Sequence, residues 1–226
     1  MQPLSLILDA LAAFHGPLEP GWPTDPYLFL VWWHCGYPAS DACCARGWES
    51  LTNRIGVEPA RLLAAAPAQL AMALKAGGMM PELRALRLKE IAERIEKRFD
   101  GDLRTALRAL PLAKARTELK KFPGIADPGA DRILLFGGIS PLAAVPSNCA
   151  HVLVRIDSGP ESGNYGATYR QARDAIAART PAAFDARTRA YLLLKHHGQT
   201  ICKRANPKCT VCPVAANCVF ACSVRK

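Results

Sequence analysis

Four cysteines near the C-terminus, Cys202, Cys209, Cys212 and Cys218, stand in the spacing C-x6-C-x2-C-x5-C. Nothing else in these 226 residues restricts the fold as much, because four thiols on one short segment must converge if they are ligands. Thiolates hold both zinc and iron–sulfur clusters. A zinc ribbon usually presents two C-x2-C knuckles set apart, and only Cys209 and Cys212 form such a knuckle here. The observed intervals suit a compact loop wrapped around a cubane, with zinc or buried free thiols as the alternatives. Cys222, four residues past the set, reads as a bystander, as do Cys35, Cys43, Cys44 and Cys149. An odd total of nine cysteines and no secretion signal argue against a disulfide framework.

Charge is distributed unevenly. Residues 1–78 hold four basic and six acidic side chains, whereas 79–226 hold 25 basic and 13 acidic ones. From Ala186 onward there are eight Lys or Arg and no acid, and the chain as a whole carries +10. Such asymmetry suits a polyanion such as nucleic acid. With 50% hydrophobic residues, wholesale disorder is excluded. No stretch approaches the ~18 uninterrupted apolar residues of a membrane span. The opening MQPLSLILDALAAF lacks a basic n-region, and Asp9 interrupts it, so it reads as an amphipathic helix rather than a signal peptide.

The remaining text is helical. Leu88, Ile91, Ala92, Ile95 and Phe99 keep a 3–4 spacing over Pro81–Phe99, with i,i+4 charge pairs on the outer face. Pro59–Ala76 reads as two short helices broken near Pro67 and stopped by Gly77-Gly78. His151–Ile156 alternates weakly but also fits a helix. A loop is expected over 157–166, with helices near 166–178 and 181–196.

The segment YLLLKHHGQTICKRANPKCTVCPVAANC, ending at Cys218, resembles the last helix and cluster loop of endonuclease III. That protein is a base-excision DNA glycosylase of the helix-hairpin-helix family with a 4Fe–4S cluster. Upstream, Ala115–Ala126 running into Asp127–Phe136 resembles the family's hairpin, whose core reads L-P-G-[VI]-G. The likeness extends from about residue 27 to Cys218. It implies an all-α, two-lobed fold: a six-helix barrel lobe over 27–143 that ends in the hairpin, and an iron–sulfur lobe joining 1–26 to 144–226. It further implies one 4Fe–4S cluster per chain on Cys202, Cys209, Cys212 and Cys218. The partner would be double-stranded, damaged DNA bound across the cleft by a monomer in the cytoplasm or nucleoid.

A tight glycine turn exposes backbone N–H groups at a helix N-terminus, where they cradle a phosphate. By resemblance Gly124, Ala126 and Gly129 would contact DNA, with Lys120 and Lys121 adding charge. Ala126 replaces the second glycine of the motif and would be strained if that position needs a positive φ. His34 and Tyr37 lie in Trp33–Asp41, which resembles the family's wedge-and-pocket segment, so the resemblance implies that both contact DNA. Trp32, Trp33 and Tyr37 suit either stacking beside a flipped base or the core.

The catalytic pair of the family does not carry over. Its Schiff-base lysine, in L-P-G-V-G-R-K, falls on Pro128, and its aspartate, in V-D-S-N-x-x-R-V-L-x-R, falls on Pro146. A proline inside a chain has no free amine to form an imine, so lyase chemistry is expected to be absent. Cleaving an N-glycosidic bond builds positive charge on the sugar, which a carboxylate must stabilise. Asp41 is the substitute by position, followed by Asp127 and Asp131; each also reads as a helix cap. His151 reads as structural or as an aid to the same region. Two functions follow: a base-excision glycosylase without lyase activity, weak or narrowed in substrate range, or a DNA-binding, lesion-recognising protein that kept the fold and lost catalysis.

Overall fold

The computed structural model describes residues 3–224, and every regular element among them is helical. The α-helices are α1 (Leu4–His15), α2 (Pro26–His34), α3 (Asp41–Arg54), α4 (Pro59–Ala64), α5 (Pro67–Leu74), α6 (Pro81–Phe99) and α7 (Leu103–Arg108). They continue as α8 (Leu112–Leu119), α9 (Asp127–Phe136), α10 (His151–Ser158), α11 (Tyr165–Arg179), α12 (Phe184–Thr200) and α13 (Val219–Val224). No described helix is long and apolar enough to cross a membrane.

Prolines set many of these boundaries. Pro26, Pro59, Pro67 and Pro81 each occupy the first turn of a helix, where a missing N–H costs nothing. The break before Pro67 separates α4 from α5, as the sequence leads one to expect. Asp25 caps α2, accepting from the N–H groups of Tyr27 at 2.9 Å and Leu28 at 3.0 Å. His151–Ile156 resolves as helix, within α10.

The chain forms two units, one holding α1 with α9–α13 and the other Pro20–Ala126 with α2–α8. The sequence reading divides the chain after residues 26 and 143, whereas the contacts divide it after Glu19 and Ala126. The difference lies in α9. Its Asp131 Oδ2 accepts from the Tyr169 hydroxyl of α11 at 2.9 Å. Phe136 meets Tyr191 of α12 edge-on at 5.1 Å, and the Arg132 guanidinium lies 5.8 Å above the same ring. At the other boundary, Trp22 packs on Trp32 of α2 at 6.3 Å, which holds the linker to the second unit.

In the first unit, Leu4, Ile7, Leu8 and Leu11 form the apolar face of α1 and join Val152 and Leu193 in one buried cluster. In the second, Leu30, Leu51, Leu70, Leu88 and Ile91 are fully buried. Burying side chains of this size contributes roughly 1.5–3 kcal/mol each.

Candidate nucleic-acid interface and metal centre

The hairpin turn follows α8. Phe122 is buried, stacks on Phe99 at 6.1 Å and lies beneath the Arg94 guanidinium at 5.2 Å. Arg94 also donates to the Lys121 carbonyl at 3.1 Å. With Phe122 and Ile125 anchored in the core, Gly124 is left exposed at the tip, and the Ile125 N–H closes the turn on the Phe122 carbonyl at 3.2 Å. Gly124 has φ +68°, so this position needs glycine. Ala126 lies outside the left-handed region, and the strain anticipated there does not arise. Lys120 and Lys121 are exposed beside the turn, Lys121 paired with Glu118. Gly129 lies in the first turn of α9, in the other unit.

His34 and Tyr37 sit behind Gly124. A Cβ on that glycine would lie 3.5 Å from the Tyr37 ring and 3.6 Å from His34 Nε2. His34 is wholly buried, and its Nδ1 donates to the Leu30 carbonyl at 2.8 Å. Burial lowers its pKa to about 4, outweighing the opposing pull of the Leu30 and Pro123 carbonyls. Nε2 makes no well-formed hydrogen bond, so the Pro123 carbonyl acts on it only weakly. Tyr37 stacks on Trp33 at 4.6 Å and precedes a cis peptide to Pro38. Trp32 is core and Trp33 half-buried.

An arginine that the sequence reading overlooked holds this segment in place. Arg84, on α6, is 1% exposed and donates to four carbonyls: Met79 at 2.9 Å, Leu74 at 3.0 Å, Gly78 at 2.7 Å, and Cys35. A Cβ at Gly47 or Gly77 would collide with the Cys35 carbonyl, and one at Gly36 with the Cys44 backbone. Those glycines are therefore required by close approach. The signal for Arg84 was present: it sits four and seven residues before Leu88 and Ile91, on the apolar stripe of α6.

The carboxylate candidates separate. Ser40 is the N-cap residue of α3, and Asp41 opens the helix half-buried. Asp127 opens α9 and is exposed, whereas Asp131 is buried against Tyr169. Pro128 lies in the first turn of α9, and Pro146 is buried just before the 3-10 turn Ser147–Cys149. His151 Nε2 donates to the Cys202 carbonyl at 2.7 Å, a structural role at the base of the cysteine loop.

Cys202, Cys209, Cys212 and Cys218 line one small hollow with Ile156, Val214 and Phe220. Cys222 is exposed and lies outside it. Arg155 ties the loop down, donating to the carbonyls of Lys203 at 2.9 Å and Arg204 at 3.0 Å while pairing with Glu161 at 2.7 Å. Its guanidinium also covers the Phe220 ring at 4.5 Å. Burial pushes the Cys202 thiol up to about 11, and those of Cys212 and Cys218 upward as well. Among the described residues, no three His, Cys, Asp or Glu side chains converge closely enough for a single ion. Four thiols around a shared apolar hollow form a donor set that fits an iron–sulfur cluster and is also one that zinc accepts.

Comparison with solved structures brings these parts together. A trapped endonuclease III–DNA covalent intermediate superposes with a TM-score of 0.77 at 17% identity, covering 100% of both chains. The chain has the helix-hairpin-helix DNA glycosylase fold. A thermostable thymine-DNA glycosylase shares that glycosylase fold at a TM-score of 0.75 and 18% identity, with 97% of this chain and 96% of the other covered. Among curated proteins, a thymine/uracil-DNA glycosylase of Pyrobaculum aerophilum is 26% identical over 163 residues, 72% of this chain and 66% of that protein. No family model matches.

Proposed function

We propose that this chain is a DNA N-glycosylase that binds duplex DNA, takes a damaged base out of the stack and hydrolyses its glycosidic bond without a Schiff-base intermediate. The observation that carries this reading is the exposed, left-handed Gly124 turn beside Lys120 and Lys121, on a chain with the glycosylase fold. Gly124, Ala126 and Gly129 would meet phosphate through backbone N–H groups, with His34 and Tyr37 supporting the turn from behind. Pro128 and Pro146 remove the amine and the carboxylate expected at their positions, and Asp41 is our candidate to supply the missing carboxylate. At the opening of α3 the helix dipole favours a negative charge, which would stabilise the developing sugar cation or orient water.

Cys202, Cys209, Cys212 and Cys218 would hold one 4Fe–4S cluster, to which their number, softness and shared hollow are suited. When bound, the cluster would cross-link the loop and hold Lys203, Arg204 and Lys208 as a fixed basic surface.

The test is base release from duplexes carrying uracil, mismatched thymine, oxidised pyrimidine or alkylated purine. Release from at least one substrate is expected, falling by on the order of 100-fold in Asp41→Asn. Retained binding with no release from any of them would favour the second reading, a lesion-binding protein without catalysis, to which the two prolines point.

A further inference from the structure

A chain of histidines in the first unit ends on a cysteine. His15, the last residue of α1, places Nε2 3.0 Å from Nδ1 of His197 on α12. The other nitrogen of His197, Nε2, lies 3.5 Å from Cys212 Sγ. His197 is 1% exposed, whereas His15 is half-buried. The His15 ring is gripped edge-on by Phe14 at 4.9 Å and by His196 at 4.7 Å. The pairing of α1 with α12 is secured nearby by Arg189 and Asp9 at 2.8 Å.

A neutral imidazole has one N–H and one lone pair, so the two contacts of His197 cannot be chosen independently. If Nδ1 carries the proton, it donates to His15 and leaves a bare Nε2 facing sulfur. That arrangement suits a thiol, which can donate its own proton. A thiolate has only lone pairs and requires the opposite arrangement: His15 Nε2–H donates to His197 Nδ1, and His197 Nε2–H donates to Cys212 Sγ. Ligation deprotonates the cysteine and thereby selects the second direction.

We propose that His197 is a positioning residue that donates its Nε2–H to the sulfur of Cys212 in the cluster-bound protein, with His15 fixing the tautomer that makes this possible. The inference rests on the reading of the four cysteines as cluster ligands. Hydrogen bonds to ligand sulfur draw off negative charge, favour the reduced state and orient the ligand, so this contact bears on both potential and retention.

The experiment compares wild type, His197→Ala, His197→Gln and His15→Ala for iron content, for cluster potential by poised titration, and for iron loss to a chelator. In His197→Ala the reduced-to-oxidised ratio at a fixed poise should fall about tenfold, a shift of about 59 mV to more negative potential for one electron. Iron loss should quicken by about tenfold. Glutamine, which keeps an N–H donor, should recover most of both effects, and His15→Ala should fall between. Should alanine take up no iron at all while glutamine does, the donor role is equally supported. Wild-type values in His197→Ala, or equal shifts in the alanine and glutamine variants, would overturn the inference alone. A wild-type protein that binds no iron, or binds zinc, would remove the cluster reading and the inference with it.

Discussion

Each unit uses a buried arginine to fasten irregular backbone, and the two do so to different ends. Arg84 draws four carbonyls around its guanidinium, and the Cys35–Tyr37 segment packs against Gly47, Gly77 and the Cys44 backbone with no room for a Cβ at Gly36, Gly47 or Gly77. Arg155 pins a loop whose thiols face a common hollow. The segment behind the hairpin turn is fastened by hydrogen bonds and close packing alone, whereas the cysteine loop leaves four thiols lining a small hollow, the seat proposed above for a cluster. The proposed binding turn and the proposed cluster seat would then have separate sources of stability, and substitutions should separate them.

The largest effect is expected at the cysteines. Serine at 202, 209, 212 or 218 should abolish iron uptake as read by colour and metal analysis, while Cys222→Ser keeps full occupancy. Arg84→Met should leave iron content unchanged and destabilise the other unit by about 3 kcal/mol or more, since four buried carbonyls lose their donor; chemical denaturation would show it. Loss of iron in Arg84→Met would break the separation.

A smaller effect concerns His34. Its folded pKa of about 4 lies below the unfolded value of 6.5. Between those two values the unfolded chain takes up a proton that the folded chain refuses. Stability is therefore full above pH 6.5 and declines as pH falls, by up to about 3 kcal/mol near pH 4. His34→Gln should flatten that part of the pH–stability curve, and an unchanged slope would show that His34 is not the group responsible. Smallest are the hairpin lysines. Lys120→Ala or Lys121→Ala should each lower the slope of log affinity for duplex DNA against log salt by about one, without changing stability.

What the sequence could reveal follows from distance along the chain. The cysteine spacing, the hairpin turn, the span of α6 and the split before Pro67 are local patterns, and each is visible in the linear text. The membership of α9 is not, because Tyr169 and Tyr191 decide it from helices far downstream. The contact between His15 and His197 joins residues 182 positions apart. Arg84 lay between these cases: a charge on an apolar stripe announced that something buried must pair with it, but its partners are carbonyls, which carry no sequence signature. Ala126 shows the converse, a motif departure that the backbone absorbs without leaving the ordinary φ range.

Glycosidic hydrolysis on this fold without a lysine nucleophile, as proposed above, can be tested on one gel. Holo-protein is incubated with an end-labelled duplex carrying the base it releases, and the products are split into untreated, hot-alkali and borohydride-quenched portions. An intact strand is expected in the first, a break at the lesion in the second and no protein–DNA adduct in the third. Strand scission without alkali together with a borohydride-trapped adduct would contradict that proposal.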